Sequence, residues 1–419
     1  MPASPRPRLR VALPAFATCL AVGVVACTSA PGAGSPAPER STSSSSTTTA
    51  SPSPSAPVTS QAAVKKQRVN VRVLPAISQP GRTAAGAAAA RAVLLVTVTP
   101  ARKNRPAVLE RKKGKTFVKV GRVRVDKAGK AQFAVPVGRT KYRVTAKTFK
   151  GKPAVSSALV RARGLGAPSF LDDFNGTSLG SAWSGRVQAY DPDGMRNCSK
   201  GDPQAVALEG GALRLSVLAD GARPEPCTAY RKDGSLIGDF RYRLNGHIST
   251  AGQASLRYGF AAARMKFPKA KGQHASFWLQ PVPYKPDATS AAEGGAEIDV
   301  VEYFGHGGKN GGMTSFIYHP TPAGRAMAGG WVTDNERFLA SKSDSWWTAY
   351  HVFSVEWTPT EYVFRIDGKE TWRITEGISH QPQYPILSLL SSDYELQNLG
   401  SEASLPQHMY VDWIAFWQS

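Results

Sequence analysis

From residue 64 to its end the chain is a succession of short apolar–polar alternations broken by Gly, Pro and Lys. Few stretches hold a helical period over ten residues. "RVNVRVLP", "AVLLVTVTP" and "TKYRVTA" come early; "GGALRLSV", "QHASFWLQP", "AEIDVVEYFG" and "HMYVDWIAFWQ" follow. A period of two buries one face of a strand and leaves a helix without an apolar stripe, so the expected class is all-β. The 419 residues exceed one typical domain. The spacing predicts a small antiparallel sandwich of immunoglobulin-like type over 64–163. A single large sandwich with a concave face is expected over 168–419.

The formal charge of +22 is confined to one part of the chain. Residues 1–163 carry 30 Lys and Arg against 3 acids, whereas 164–419 carry 22 against 27. An anionic partner is therefore sought at the small sandwich: a cell-wall polymer, an acidic polysaccharide or a membrane surface. The alternative is a solvated spacer whose charge maintains solubility. No nucleic acid is expected, because no recognition motif or stacking platform accompanies the charge.

Arg6, Arg8 and Arg10 precede "VALPAFATCLAVGVVAC", an apolar run too short and poorly flanked for a membrane span. Residues 1–27 therefore read as a signal peptide, and the chain is expected to be exported. "VVAC" resembles the lipobox of bacterial lipoproteins, which would make Cys27 the lipidated residue and leave the protein membrane-anchored. An ordinary cleaved signal, giving a secreted protein, is the alternative. Residues 28–63, rich in Ser, Thr and Pro, read as a disordered tether. The two other cysteines outside the signal segment, Cys198 and Cys227, are expected to form a disulfide; their spacing has no metal-site pattern.

"EIDVVE" places Glu297, Asp299 and Glu302 within six positions. Strict alternation puts the first two on one face and sends Glu302 to the other, into an apolar layer where an unpaired carboxylate is costly. A β-bulge at Val300–Val301 would return Glu302 to the side of the other two. Paired carboxylates on one concave face suit glycoside cleavage, in which one acid attacks the anomeric carbon and another protonates the leaving oxygen.

This motif resembles the Glu-x-Asp-x-x-Glu signature of glycoside hydrolase family 16, and its two-residue gap resembles the bulged, laminarinase-like subgroup. "YGFAAARMKFP", "FWLQP", "FSVEWTPTEYVFRIDGK" and "MYVDWIAFWQ" stand in the family's order across roughly 168–419. The basic segment is similar to bacterial immunoglobulin-like modules. The resemblance implies a concanavalin A-like β-jelly roll and retaining hydrolysis, with Glu297 as nucleophile, Glu302 as acid/base and Asp299 between them. It also implies a sugar platform at Trp278, with Trp331 and Tyr258 as further aromatic candidates and His319 and Arg264 as polar ones. Asp412 is the candidate for a structural calcium, and no cofactor is expected for catalysis. His274 stands where the family commonly has a Trp.

The resulting expectation is a monomeric endo-glycosidase acting on a β-linked polysaccharide, β-1,3-glucan first. Transglycosylation on the same fold is an alternative. So is a non-catalytic lipoprotein that binds wall polysaccharide.

Overall fold

A computed structural model describes residues 66–285, 287–399 and 402–418. The signal segment with Cys27 and the tether 28–63 lie outside the described residues. Half of the structure is strand and very little is helix, as the period of two requires.

The basic segment forms two sheets. One holds Arg68–Ser78, Arg91–Thr99 and Lys130–Pro136; the other is built on Pro106–Lys113, Thr116–Arg124 and Lys141–Ala146. Val69, Leu94, Val96 and Val135 of the first sheet meet Leu109, Tyr142 and Val144 of the second in a core of their own.

Apart from the hairpin Pro226–Tyr230 and Leu236–Arg241, the strands of the rest of the chain build one long, almost wholly antiparallel sheet that folds over itself. The fold occurs in strand Arg243–Ser249. Its first residues pair with Val217–Ala219 and its last with Ile386–Leu389, so one strand serves both layers. Gly246 sits where the partner changes. A Cβ there would lie 2.7 Å from the Ala205 carbonyl and 2.9 Å from Leu215 Cβ, so only glycine fits so close a crossing. Between the layers lies the main core, including Phe277, Ile298, Phe353, Trp357, Leu387 and Phe416.

The two outer faces have different fates. On the layer containing Gly259–Lys266, His351–Trp357 and Gln407–Trp417, alternate residues pointing out of the main core are again apolar: Phe260, Ala262, Val352, Trp413, Ala415 and Trp417. They pack against Leu74, Ile77, Ala90 and Val93 of the basic module, so the whole of 66–419 is one compact unit. Around this contact the polar groups are matched. Arg264 and Asp412, both buried, form an ion pair. Arg264 Nε donates to the Gln79 carbonyl (2.6 Å) and Nη1 to that of Thr83 (3.0 Å). Asp412 Oδ1 accepts the N–H groups of Ala85 (3.0 Å) and Gly86 (3.1 Å), and Trp413 Nε1 donates to Gln79 Oε1 (2.7 Å). Buried Glu356 is held between Arg365 and Arg72.

This contact corrects the reading of Arg264 and gives Asp412 protein partners. Arg264 faces the module and not a substrate, because its guanidinium pairs with Asp412 on the adjacent strand, in the layer opposite the one that carries the acids of the motif. Asp412 spends both carboxylate oxygens on Arg264 and on module backbone, the partners a calcium ion would have replaced. Among the described residues no group of three or more His, Cys, Asp or Glu is arranged to hold a metal.

Removing one member of a buried ion pair leaves the other charged and unpaired, which costs about 3–5 kcal/mol. Asp412→Ala should lose stability on that scale in urea unfolding, and equally in protein treated with a calcium chelator. A loss that chelation of the wild type reproduces would instead return Asp412 to a metal-binding role.

Candidate active site

Strand Glu297–Tyr303 lies inside the second layer between His274–Pro281 and Met313–Thr321. Its register breaks against both neighbours at the same place. Towards one, Asp299 pairs with Trp278 and Val301 with Phe277, leaving Val300 over. Towards the other, Asp299 pairs with Phe316 and Glu302 with Thr314, so Val300 and Val301 both oppose Ser315. This is the bulge expected from the spacing. Ile298, Val300, Val301 and Tyr303 all enter the main core. The carbonyl of Val300, displaced from the ladder, accepts a hydrogen bond from the Ser315 hydroxyl (2.9 Å). Glu297, Asp299 and Glu302 therefore share the outer face with their cross-strand neighbours Trp278, Ser276, Tyr318 and Thr314.

The three acids have different surroundings. Arg325 Nη2 donates to Glu297 Oε1 at 2.9 Å, and the same guanidinium lies 4.2 Å from the Tyr318 ring centre. Asp299 is almost fully buried and its Oδ2 has no hydrogen-bond partner. Burial, then the charges of Glu302 and Glu297, push its carboxyl well above the usual range, against a smaller opposing effect of Arg325. Glu302 accepts the Thr314 hydroxyl at 3.0 Å. Burial first, with Glu297 adding to it, raises its carboxyl to about 7 despite the Thr314 hydrogen bond. At neutral pH the face thus offers a carboxylate paired with an arginine, a buried protonated acid, and a third acid poised to give or take a proton.

Aromatic rings flank this centre. Trp278 Nε1 donates to Ser388 Oγ (3.1 Å), which lays the half-buried indole on the sheet, 6.2 Å from the His247 ring. Arg186 sits 5.5 Å over the same indole and binds Gln280 Oε1 and Tyr384 Oη. Beside it lies a cavity of about 220 Å³ lined by Leu179, Arg186, Asp202, Val206 and His247. On the Glu302 side, Trp331 pairs with Thr314, tilts against Phe304 (5.8 Å), and Phe304 stacks on His274 (5.4 Å). Platforms of this kind suit the apolar faces of sugar rings.

The expected residues divide clearly. Glu297, Asp299, Glu302, Trp278 and Trp331 come together. Tyr258 does not join them: it lies edge-on to Trp357 (5.2 Å), against the main core. His319 falls on the other face of its strand from Tyr318, close against the turn at Gly377, because alternation at that position opposes Tyr318. Arg264 is at the module contact. Cys198 and Cys227 are bonded and pack with Tyr242 and Leu396. Arg325, Arg186, His247, Thr314 and Phe304 were not singled out from the sequence. They reach the site through pairing of distant segments, for which no local signal exists.

Residues 225–415 match the family described as Glycosyl hydrolases family 16. A curated relative, glucan endo-1,3-beta-glucosidase A1 of Niallia circulans, is 23% identical over 269 residues, which is 58% of this chain and 36% of the relative. The chain thus spans about a third of that protein's length. Among solved structures, the laminarinase catalytic domain of Thermotoga maritima is 17% identical with a TM-score of 0.45, covering 60% of this chain and 98% of that one. The endo-beta-1,3-glucanase of Pyrococcus furiosus is 18% identical with a TM-score of 0.43, over 59% and 92%. Somewhat under half of the chain, residues 225–415, thus resembles the glycosyl hydrolases of family 16.

The raised Glu302 carboxyl has a stability consequence. The folded state holds this proton more tightly than the unfolded chain, where Glu titrates near ~4.3. Its contribution is therefore intact below that value and is lost as pH rises to about 7. Glu302→Gln cannot ionise. Relative to wild type it should gain up to about 3 kcal/mol between pH 4 and pH 8, read from urea unfolding at both pH values. Equal differences at both would mean that Glu302 titrates as an ordinary surface glutamate.

Proposed function

We propose that the protein is a retaining endo-glycosidase that cleaves a β-linked polysaccharide, with β-1,3-glucan the first substrate to test. The observation that carries this reading is the bulged strand, which sets three unlike carboxyls on one aromatic-lined face. The family match and the printed name of the curated relative agree with it.

In this reading Glu302 begins protonated and gives its proton to the glycosidic oxygen as the C1–O bond breaks. A carboxylate oxygen of Glu297 attacks C1 from the opposite side, forming a covalent glycosyl-enzyme. Arg325 orients the attacking carboxylate through its hydrogen bond. Glu302, now ionised, takes a proton from water. The resulting hydroxide oxygen bonds to C1 and Glu297 leaves. Asp299, buried and protonated, has a hydrogen to donate to a neighbouring glutamate, which would ease the build-up of negative charge on the pair. Trp278, on one side, and Trp331, on the other, would stack successive sugar rings. A sugar hydroxyl replacing water at the second step would make the enzyme a transglycosylase.

We further infer that the chain is exported, either lipid-anchored through Cys27 or secreted. The basic module is proposed to meet an anionic wall polymer or membrane surface, on the strength of its charge alone.

Laminarin, lichenan, agarose and carrageenan form the test panel, with reducing-end release and product sizing as readouts. Glu297→Gln and Glu302→Gln should each lower kcat by at least about 10²–10⁴-fold. Wild-type kcat/KM should fall above pH of about 7, where Glu302 loses its proton. A wild-type protein inactive on all four polymers would refute the hydrolase in this form.

A further inference from the structure

His274 is buried on the strand beside the acids, and its surroundings fix it more tightly than a packing role requires. Its ring lies between Phe304 (5.4 Å, 27°) and Tyr394 (6.5 Å, 28°). Nδ1 hydrogen-bonds Glu395 Oε1. The other oxygen of Glu395 accepts the Ser392 N–H (2.6 Å), closing a capping box on the one-turn helix Asp393–Leu396. Asp393, at the start of that turn, accepts the N–H groups of Asn197 (2.9 Å) and Cys198 (3.1 Å), the latter in the disulfide. Glu395 is thus tied at its oxygens, its helix turn and, through Asp393, to the cross-linked segment. With Nδ1 donating to Glu395, the imidazole carries its hydrogen there and presents Nε2 as a bare acceptor. That nitrogen lies 3.9 Å from Glu302 Oε1.

We propose that His274 is a positioning residue for Glu302: locked by Glu395, its Nε2 faces the carboxyl and holds the acid in its protonated, donor-ready form. The proposal rests on the reading of Glu302 as the acid/base. Thr314 already donates to Glu302 Oε2, so the proton belongs on Oε1, the oxygen that faces His274. The gap is longer than a direct hydrogen bond and is closed by a small side-chain movement or by one bridging water. The histidine does not compete for the proton. Burial, with Arg196 adding to it, pushes its own titration down to about 3. Once the gap is closed, the imidazole accepts a hydrogen bond from the acid without taking its proton, which stays available to the leaving oxygen. The other groups facing this pair are Glu297 and Asp299 on the acid strand, Tyr318 and Thr314 on the next, Tyr394 and Glu395 on the short helix, Arg196 next to the segment that helix holds, and His247 stacked beyond Trp278.

An acceptor for the neutral acid favours the protonated form, so its removal should lower the Glu302 midpoint. The test uses the full chain. His274→Phe keeps a ring between Phe304 and Tyr394 and removes the acceptor; the alkaline limb of kcat/KM should move down by about one pH unit. His274→Gln restores an acceptor oxygen and should recover most of the shift. Glu395→Gln loosens the lock and should give a smaller shift in the same direction. A limb that stays in place in folded His274→Phe overturns the proposal. The Glu302 carboxyl is also followed by ¹³C NMR titration, assigned by Glu302→Gln. There a lowered midpoint in His274→Phe supports the proposal and an unchanged one refutes it. This readout needs no turnover, so a protein inactive on every polymer would defeat the functional reading while the role of His274 is still decided.

Discussion

A strand that reads EIDVVEY cannot bury its four apolar side chains and present its three carboxylates by strict alternation, which would place Glu302 with Ile298 and Val300. Glu297–Tyr303 solves this by spending one residue outside the ladder. Both valines then reach the core, each worth about 1.5–3 kcal/mol when fully buried. The cost is one displaced carbonyl, and Ser315 covers it. The rest of the site follows from that choice. With Glu302 returned to the outer face, it lies among buried neighbours where ionisation is disfavoured, while Glu297 meets Arg325. Three carboxyl groups are thereby given different surroundings by one strand: one paired with an arginine, two whose ionisation burial disfavours.

How much of this was legible before the structure depends on the range of each interaction. The bulge was readable because its cause is local: the spacing of three acids and two valines in six residues. The all-β class was readable for the same reason, since alternation is a property of neighbours in sequence. Trp278 and Trp331 fell where expected because each lies on a strand that flanks the acids or the next one over. Arg325, Thr314 and Phe304 were hidden because their approach depends on register between segments, which composition does not encode. His319 illustrates the converse: it is one residue from Tyr318, and a period of two turns that single step into the opposite face.

Arg264 was misread for a related reason, and Asp412 shares its setting. Each looked like a site residue when its domain was considered alone. An arginine and an aspartate on the outer face of a sandwich suggest ligand and metal as long as that face is assumed to be open. The face is instead covered by the basic module, and the pair is the polar centre of an apolar contact that includes Trp413 and Trp417. The face is rich in Phe, Trp, Val and Ala on the side away from the core, and its cover comes from roughly 170 to 340 residues upstream.

That cover spans the boundary between 64–163 and 168–419. A fragment beginning at 168 would carry Phe260, Trp413 and Trp417 on bare surface and would return Arg264 and Asp412 to water. Such a fragment is an aggregation hazard rather than a trimmed catalytic domain. The contact couples the stability of the two parts, because separating them would expose the apolar residues of both. Natural recombination could not exchange this module for another without also rewriting the outer face of the sheet beneath it.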